Sequence, residues 1–296
     1  MKKKEFIAFI IPSTLSMLLI TIGPSIYTVY ISFFHQSFIT QSLVFVGLDN
    51  FKTVLHEIRF WNALGNTFFY MSMSIPIELL LGFTGALLLE KINRVRGFVT
   101  GSLLLPYILV PVVAALAFGW IFRGNFGILN YFITSIGLKP PEWFADPWAA
   151  KFMLIIFEVW KNTPFSLIIL FAGLQTIPVQ ISEASDIDGI NFFQKIIYIK
   201  IPLLKNHLIF ILIITIMNCF QMFDSVYVLT GGGPGANTEL VAFYNYQIAF
   251  KESNIGKSAT IVILTIIFIA ITSGYLLFEV YKQYEQEKKP RVKKLF

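Results

Sequence analysis

The sequence predicts an all-α polytopic membrane protein with six transmembrane helices. Of its 296 residues, 56% are hydrophobic and 14% are charged, whereas soluble domains carry about 25% charged residues. Six apolar runs are each long enough to cross a bilayer, which takes about 20 residues. Of the 23 basic residues, fifteen fall on the side of the two termini, seven fall on the opposite side, and Lys161 lies within a span. That bias marks the first side as cytoplasmic.

The first apolar run covers residues 6–34 and follows Lys2, Lys3 and Lys4. It is longer than the apolar core of a signal peptide, so it predicts a first span with a cytoplasmic N-terminus. The other predicted spans cover residues 64–89, 97–122, 148–174, 206–229 and 258–281. The chain then divides into an N-terminal helix at 1–35, an external segment at 36–63, a transmembrane core at 64–282 and a basic cytoplasmic tail at 283–296.

Two spans contain small residues or prolines that bear on packing. Gly82 and Ala86 are four residues apart, which predicts a face for close helix packing. Pro106 and Pro111 lie inside the third span, where neighbouring helices satisfy the carbonyls that a proline frees. An irregular helix beside a pathway and a plain kink are both open here.

A polar segment at residues 175–205 separates the fourth and fifth spans. Pro178 suits the first turn of a helix, and Gly189 suits the position just beyond its end. Asn191 is an N-cap for a second helix, and Gln194 completes a capping box. Pro202 ends that helix or starts the next one. The segment therefore predicts a helix, a tight turn and a second helix on the cytoplasmic side.

This segment resembles the EAA loop of ABC-importer permeases. The matching positions are Glu183, Ala184, Asp188, Gly189, Ile199 and Pro202. Ser185 stands where a second alanine is usual, and Ile201 where leucine is usual. The resemblance implies a MetI-like ABC-importer permease fold, in which this pair forms the cytoplasmic coupling helices. The alternative is an amphipathic hairpin lying on the membrane surface.

The resemblance also implies residue roles in coupling to an ATPase. Glu183 would form charge pairs at the contact, Ala184 would allow close approach, and Asp188 would brace the turn at Gly189. Phe192 and Phe193 would fill apolar hollows on the ATPase. The implied coupling residues are Glu183, Ala184, Asp188, Gly189, Phe192, Phe193 and Pro202.

Two external segments narrow the resemblance. The sequences F-V-G-L-D-N-F at residues 45–51 and L-T-G-G-G-P at 229–234 are similar to those of sugar-importer permeases. Physical reasoning alone predicts only a turn for the first segment and a flexible external turn for the second.

The likeness is to maltose, multiple-sugar and glycerol-phosphate permeases. It implies a bacterial plasma (inner) membrane location, a second homologous permease, two cytoplasmic ATPases and an extracellular solute-binding protein. The chain itself would bind no cofactor, because ATP and Mg²⁺ would sit on the ATPases. No nucleic-acid partner is implied.

Polar residues recur along the fifth predicted span. Asn218, Gln221 and Asp224 are spaced by three residues beside Phe223 and Tyr227. Amides and carboxylates exchange hydrogen bonds with sugar hydroxyls, and ligand pockets combine such groups with aromatic faces. The stripe predicts either a substrate pathway or hydrogen bonding to a partner permease, and both interpretations are open.

Three charged residues lie within predicted spans. Glu158 and Lys161 are three residues apart on one helix face, which predicts an ion pair. Glu78 is predicted to be packed and protonated. In the alternative function, a proton-coupled secondary transporter, Glu78 and Glu158 would be the proton sites.

Motifs for chemistry on this chain are lacking. Gly256-Lys257-Ser258 looks like the end of a phosphate loop, but Lys251 occupies the position where that motif requires glycine. The sequence holds one cysteine, Cys219, and three scattered histidines, which offer no metal-ligand spacing. We therefore expect a protein that is not an enzyme, and a membrane-embedded enzyme would need a catalytic constellation that the sequence lacks.

Overall fold

The computed structural model describes residues 3–36, 43–92, 94–124 and 126–288. Lys2 and the end of the predicted basic tail, residues 289–296, lie outside the described residues. The described elements are α1 (Lys3–Met17), α2 (Gly23–Ile31), β1 (Phe34–Gln36), β2 (Leu43–Phe45), α3 (Asp49–His56), α4 (Ile58–Lys91), α5 (Arg96–Ile108), α6 (Pro111–Ile121), α7 (Ile128–Ser135), α8 (Pro147–Gln175), α9 (Val179–Ile187), α10 (Phe192–Lys195), α11 (Ile201–Leu203), α12 (Lys205–Gln221), α13 (Val241–Tyr246) and α14 (Ile255–Lys288).

Four short π-helical turns join some of these helices within the described chain. They cover Leu18–Ile22, Ile196–Lys200, Val226–Thr230 and Gln247–Lys251. The two strands pair antiparallel, with Phe34 opposite Phe45. The chain divides into two compact units: Met1–Asn62 with Val241–Phe268, and Ala63–Leu240 with Ile269–Phe296.

Five stretches of the described chain are apolar and long enough to cross a membrane by themselves. They are Ile10–Ile31, Ile58–Lys91, Pro147–Gln175, Lys205–Thr230 and Ile255–Phe278. Helices α5 and α6 meet the same criteria together but bend by 93° at the break between them. Counted as one broken span, this pair brings the total to the predicted six.

The third predicted span is broken rather than kinked. Helix α5 ends at Ile108, and Leu109 and Val110 have extended ψ angles of 139° and 127°. Pro111 then begins α6 at its first position. Proline disfavours helical backbone in the residue before it and suits the first turn of a new helix, which explains why the break falls directly before Pro111. Pro106, in contrast, lies inside α5.

The predicted small face of α4 packs against α8 in the second unit. A Cβ atom added at Gly82 would lie 2.9 Å from the Cβ atom of Ser166. One added at Gly85 would overlap the side chain of Leu167. Ala86 is fully buried in a core cluster that includes Leu170 of α8. The close approach predicted from Gly82 and Ala86 is confirmed, and Gly85 extends it.

In the first unit, Asn50 donates hydrogen bonds to backbone carbonyls just beyond the end of the first span. Gly47 adopts a φ of +58° in the turn before α3. Asn50, buried in the first turn of α3, donates from Nδ2 to the carbonyl oxygens of Ser32 at 2.8 Å and Phe34 at 2.9 Å. The segment that sequence reasoning treated as a plain turn therefore also satisfies carbonyls where α2 ends.

Replacing Asn50 with Asp is expected to destabilise the protein by about 2 kcal/mol, because a carboxylate cannot donate to the two carbonyl oxygens. Thermal unfolding of the detergent-purified protein measures the change. Lys52→Ala on the same helix is the control, since Lys52 and its ion-pair partner Asp49 are both 71% exposed and such pairs contribute little. Equal melting temperatures for Asn50→Asp and the unmutated protein would contradict this assignment.

Candidate coupling surface and solute cavity

The polar segment at residues 175–205 forms the predicted pair of helices. Helix α9 starts directly after Pro178, which occupies the N-cap position rather than the first turn. Gly189 follows with a φ of +70°. Asn191 and Gln194 form the predicted capping box through bonds of 2.9 and 3.0 Å. Pro202 does not end the second helix, because α10 runs through a π turn into α11, which contains Pro202 near its start.

A lysine joins the two helices of the pair. Lys195 donates from Nζ to both carboxylate oxygens of Asp186, at 3.0 and 3.1 Å, and to the carbonyl oxygen of Ser182 at 3.1 Å. Sequence reasoning gave the bracing role to Asp188, whereas the brace seen in the structure is made by Asp186. The available signal was the opposite charge of Asp186 and Lys195 on either side of a tight turn.

The pair is also tied to the ends of two long helices. Lys200 pairs with Glu90 of α4 at 2.6 Å. The ammonium of Lys91 lies 5.5 Å from the centre of the Phe192 ring. Gly173, near the end of α8, lets Leu204 and His207 approach so closely that an added Cβ would overlap Leu204. The helix pair is therefore in direct contact with the ends of α4 and α8.

An apolar face of the helix pair is exposed. Ile187 is 87% exposed and Phe193 is 73% exposed, and Glu183 and Ala184 are exposed on the same short helix as Ile187. Exposed apolar patches with polar neighbours mark interaction sites. Ser185 does not belong to this face, because it is buried and its hydroxyl donates to the carbonyl oxygen of Ser182. We name this face, comprising Glu183, Ala184, Ile187, Phe192 and Phe193, the coupling face.

A cavity of about 190 Å³ lies within the second unit, and we name it the solute cavity. Its lining contains four of the five residues predicted for a substrate pathway: Asn218, Gln221, Phe223 and Asp224. The remaining lining residues are Pro111, Phe157, Glu158, Lys161, Met222 and Ser225. Tyr227, the fifth predicted residue, stands outside the lining and stacks on Phe223 with ring centres 5.4 Å apart.

The fifth span is interrupted at this cavity. Helix α12 ends at Gln221, and Met222 is extended with a ψ of 106°. The predicted fifth span over 206–229 is confirmed by the apolar stretch Lys205–Thr230, but its helix is interrupted at Met222. Phe223 lies in the break and Asp224 begins the helical turn after it, so Asp224 does not continue the helical spacing of Asn218 and Gln221. The segment contains neither glycine nor proline, so no local signal announced it.

Lys161 forms hydrogen bonds at the C-terminal end of α5, in the middle of the broken third span, rather than with Glu158. Its Nζ donates to the carbonyl oxygens of Pro106 and Tyr107 at 3.3 Å and of Leu109 at 2.9 Å. Glu158 and Lys161 interact electrostatically, but they do not form the predicted direct ion pair. Carbonyls in the last turn of a helix have no partner within the helix, and a cation is favoured at that end.

The two carboxylates assigned to proton sites in the alternative function have local protein partners. Glu78 is 1% exposed and accepts from Ser166 of α8 at 2.6 Å and Thr215 of α12 at 3.4 Å. Glu158 is 5% exposed and accepts from Asn162. Glu78 is therefore packed, as predicted, and links three helices.

The glycine-rich segment after the fifth span is closed by hydrogen bonds. Gly231 and Gly232 have φ angles of +58° and +84°, which favour glycine. Thr238 donates to the carbonyl oxygen of Gly233 at 2.6 Å, and Asn66 of α4 donates to that of Glu239 at 3.1 Å. The flexible turn expected from composition is instead a bonded loop.

The phosphate-loop look-alike is an ion-pair site in the first unit. Lys257 lies 2.6 Å from a carboxylate oxygen of Glu57 and 3.9 Å from one of Glu252. Burial, with a further contribution from Glu57, raises the pKa of the nearby Tyr244 above its ordinary value. Lys257 is thus held by carboxylates, in agreement with the sequence argument against a phosphate site.

Comparisons with known proteins agree with this architecture. No protein-family model matches the sequence. The chain is 32% identical over 271 residues to the trehalose/maltose transport system permease protein MalF of Thermococcus litoralis, with 90% of each chain covered. It is 32% identical over 269 residues to the sulfoquinovosyl glycerol transport system permease protein SmoG of Agrobacterium fabrum, with 90% of this chain and 87% of the relative covered.

The fold also matches a solved structure. A chain of a bacterial ABC transporter that imports the acidic polysaccharide alginate superposes with a TM-score of 0.82 at 18% identity, over 95% of this chain and 96% of that one. The fold is therefore that of an ABC-importer permease, a multi-pass membrane protein. The chain belongs to the family of permease subunits of sugar ABC importers. It is not an enzyme, because ATP hydrolysis in these transporters occurs on a separate subunit. These relatives do not favour the proton-coupled alternative.

Proposed function

We propose that this chain and a second homologous permease form the translocation pathway for an oligosaccharide or related sugar. An extracellular binding protein delivers the solute, and two cytoplasmic ATPases, which bind the ATP and Mg²⁺, drive transport. The observation that carries the proposal is the solute cavity, where amides, carboxylates and aromatic rings meet at the breaks of two spans. Polar groups converging in a partly apolar cavity are what a sugar site requires.

The coupling face supports the ATPase part of the proposal. Exposed apolar and aromatic side chains are enriched at the centre of interfaces between proteins, and Ile187, Phe192 and Phe193 are such side chains. Lys195 and the capping box hold the two helices in one arrangement, so the face is preformed. We assign the docking of the ATPase to this face, with Glu183 as its charged contact.

The contacts to α4 and α8 support a mechanism of alternating access. ATP closes the ATPase dimer, and the docked helix pair moves with it. The Lys200–Glu90 ion pair transfers this movement to α4, and the close approach at Gly173 transfers it to α8. Rigid-body movement of packed elements is a common way to switch between two states. The solute cavity then opens alternately to the two sides.

In the proposed function the coupling face contacts the ATPases, so it lies on the cytoplasmic side of the membrane. The charge bias of the loops supports a cytoplasmic position for residues 175–205 and both termini. The membrane is then the plasma (inner) membrane of a bacterium.

Purification of the tagged chain tests the proposal directly. We expect a second permease and an ATPase to copurify, and we expect vesicles that contain this complex, supplied with the binding protein, to accumulate labelled oligosaccharide only when ATP is present. Mass spectrometry and a filtration uptake assay measure the two results. Accumulation against a gradient by vesicles that contain this chain alone would contradict the proposal.

Replacing Glu183 with Lys is expected to reduce ATP-driven uptake by about tenfold or more, because reversing a charge at an interface costs several kcal/mol. Membrane insertion should be unchanged, since Glu183 is exposed. Copurification of the ATPase, measured in parallel, should fall with uptake. Glu142→Lys, at an exposed position far along the chain from the pair, is the control. Full uptake and full ATPase recovery in Glu183→Lys would remove this residue from the coupling face.

A further inference from the structure

The lining of the solute cavity contains two carboxyl groups and one ammonium group. Among the described residues of its lining, the carboxylates of Glu158 and Asp224 stand against one ammonium, that of Lys161. Glu158 is 5% exposed, and Asp224 is half-buried. Charges in such surroundings are screened less by salt than charges on the surface. A solute in this cavity therefore lies beside the carboxylate of Asp224 and the buried carboxyl group of Glu158.

The ammonium of Lys161 is already used by the protein. An ammonium group has three N–H donors, and its nitrogen lies within bonding distance of three carbonyl oxygens at the end of α5, those of Pro106, Tyr107 and Leu109. The end of a helix carries a partial negative charge, which offsets the positive charge of Lys161. Lys161 therefore has no donor left to bind an anionic group on a solute.

The other polar groups of the lining suit hydroxyl groups. The amides of Asn218 and Gln221 donate and accept hydrogen bonds, and the carboxylates of Glu158 and Asp224 accept them. The rings of Phe157 and Phe223 offer apolar faces in the same lining. A carboxylate, sulfonate or phosphate on the solute would instead lie beside like charges, which costs several kcal/mol.

We propose that the solute cavity selects an uncharged oligosaccharide and excludes anionic sugars. This inference rests on the proposed function and names the substrate class of the same site. Likeness to sugar permeases alone leaves the charge open, because relatives and neighbours carry names or descriptions that specify both maltose and an acidic polysaccharide. The charge balance of the lining decides between the two.

Saturation-transfer NMR on the complete importer in nanodiscs, without its binding protein, tests the selection made by the cavity itself. The two probes are maltotriose, which is neutral, and trigalacturonate, which has a similar size and three carboxylates. We expect saturation transfer to maltotriose to exceed transfer to trigalacturonate by about tenfold. Repulsion between one carboxylate of the probe and one carboxylate of the lining is sufficient for a difference of this size. ATP-driven uptake of a panel of neutral and acidic saccharides is measured separately, with the same complex reconstituted in vesicles and supplied with its binding protein.

Asp224→Asn should raise transfer to trigalacturonate about tenfold relative to maltotriose, because one of the two repelling carboxylates is lost. Glu158→Gln is the second variant and should shift the ratio in the same direction. Glu142→Gln is the matched control: it removes an exposed carboxylate of the same unit that does not line the cavity. We expect this control to keep the ratio of the unmutated protein.

The outcomes separate the inference from the proposed function. Equal or stronger transfer to trigalacturonate in the unmutated complex overturns charge selection but leaves a sugar permease. An unchanged ratio in both Asp224→Asn and Glu158→Gln also overturns it. If neither probe shows transfer and no saccharide is taken up with ATP, the proposed function fails, and the inference fails with it.

Discussion

Lys161→Met is expected to reduce ATP-driven uptake by at least about tenfold while the chain still inserts into the membrane. The ammonium is the donor for three carbonyl oxygens where α5 ends. Each buried carbonyl left without a donor costs about 1–3 kcal/mol. The 93° break between α5 and α6 would lose this support.

Loss of that support acts directly on the site. Lys161, which donates to the carbonyls at the end of α5, and Pro111, which begins α6, both line the solute cavity. Uptake by vesicles containing the complex measures the loss, and thermal unfolding in detergent measures the accompanying destabilisation. Lys139→Met, at an exposed position of the same unit, is the matched control and should transport normally. Lys161→Arg keeps the positive charge but not the compact geometry, so we expect intermediate uptake.

A simple result would contradict the bracing role of Lys161. If Lys161→Met transports at the rate of the unmutated complex and unfolds at the same temperature, the carbonyl contacts have no part in holding the break. Loss of uptake in Lys139→Met as well would indicate a general effect of removing charge.

Gly189→Val is expected to uncouple the transporter. Gly189 has a φ of +70° in the tight turn between α9 and the capping box at Asn191. A side chain in this conformation costs roughly 1–2 kcal/mol, and a β-branched one fits it least well. The valine variant relieves this strain by changing the turn. The change alters the orientation of α10, which carries Phe192 and Phe193, relative to α9, which carries Ile187.

Two measurements on this variant report on the coupling face. Uptake should fall by about tenfold or more, and less ATPase should copurify with the chain. Gly189→Asn is the matched control, because asparagine tolerates a left-handed backbone, and it should retain most of the uptake. Normal uptake and ATPase recovery in Gly189→Val would show that the turn geometry is not needed for coupling.

The helix pair was predictable because its determinants are local. The capping box joins Asn191 and Gln194, three residues apart, and the turn depends on the backbone of Gly189 alone. Interactions of this range depend little on the rest of the fold. The links from Lys200 to Glu90, across 110 residues, have no such local signal, and sequence reasoning missed them.

The partner of Lys161 shows where local spacing misleads. Glu158 lies three residues away on one helix face, which favours a pair. The carbonyls of α5 lie 52 to 55 residues away in the sequence. These carbonyl oxygens lack a helical hydrogen-bond donor because the helix breaks before Pro111, and they lie near Lys161 because α5 packs on α8. Neither can be read from residues 158–161.

The amino-acid sequence by itself determined the membrane class, the approximate spans, the helix pair and four of the ten described residues that line the cavity. Hydrophobicity, loop charge and capping act over a few residues, so a pattern reveals them. Only the tertiary structure decided which carbonyls hold Lys161, where α12 breaks, and that Glu158 joins Asp224 around one space. These depend on contacts between segments far apart in the chain, whose competition for hydrogen bonds is settled when the helices pack together.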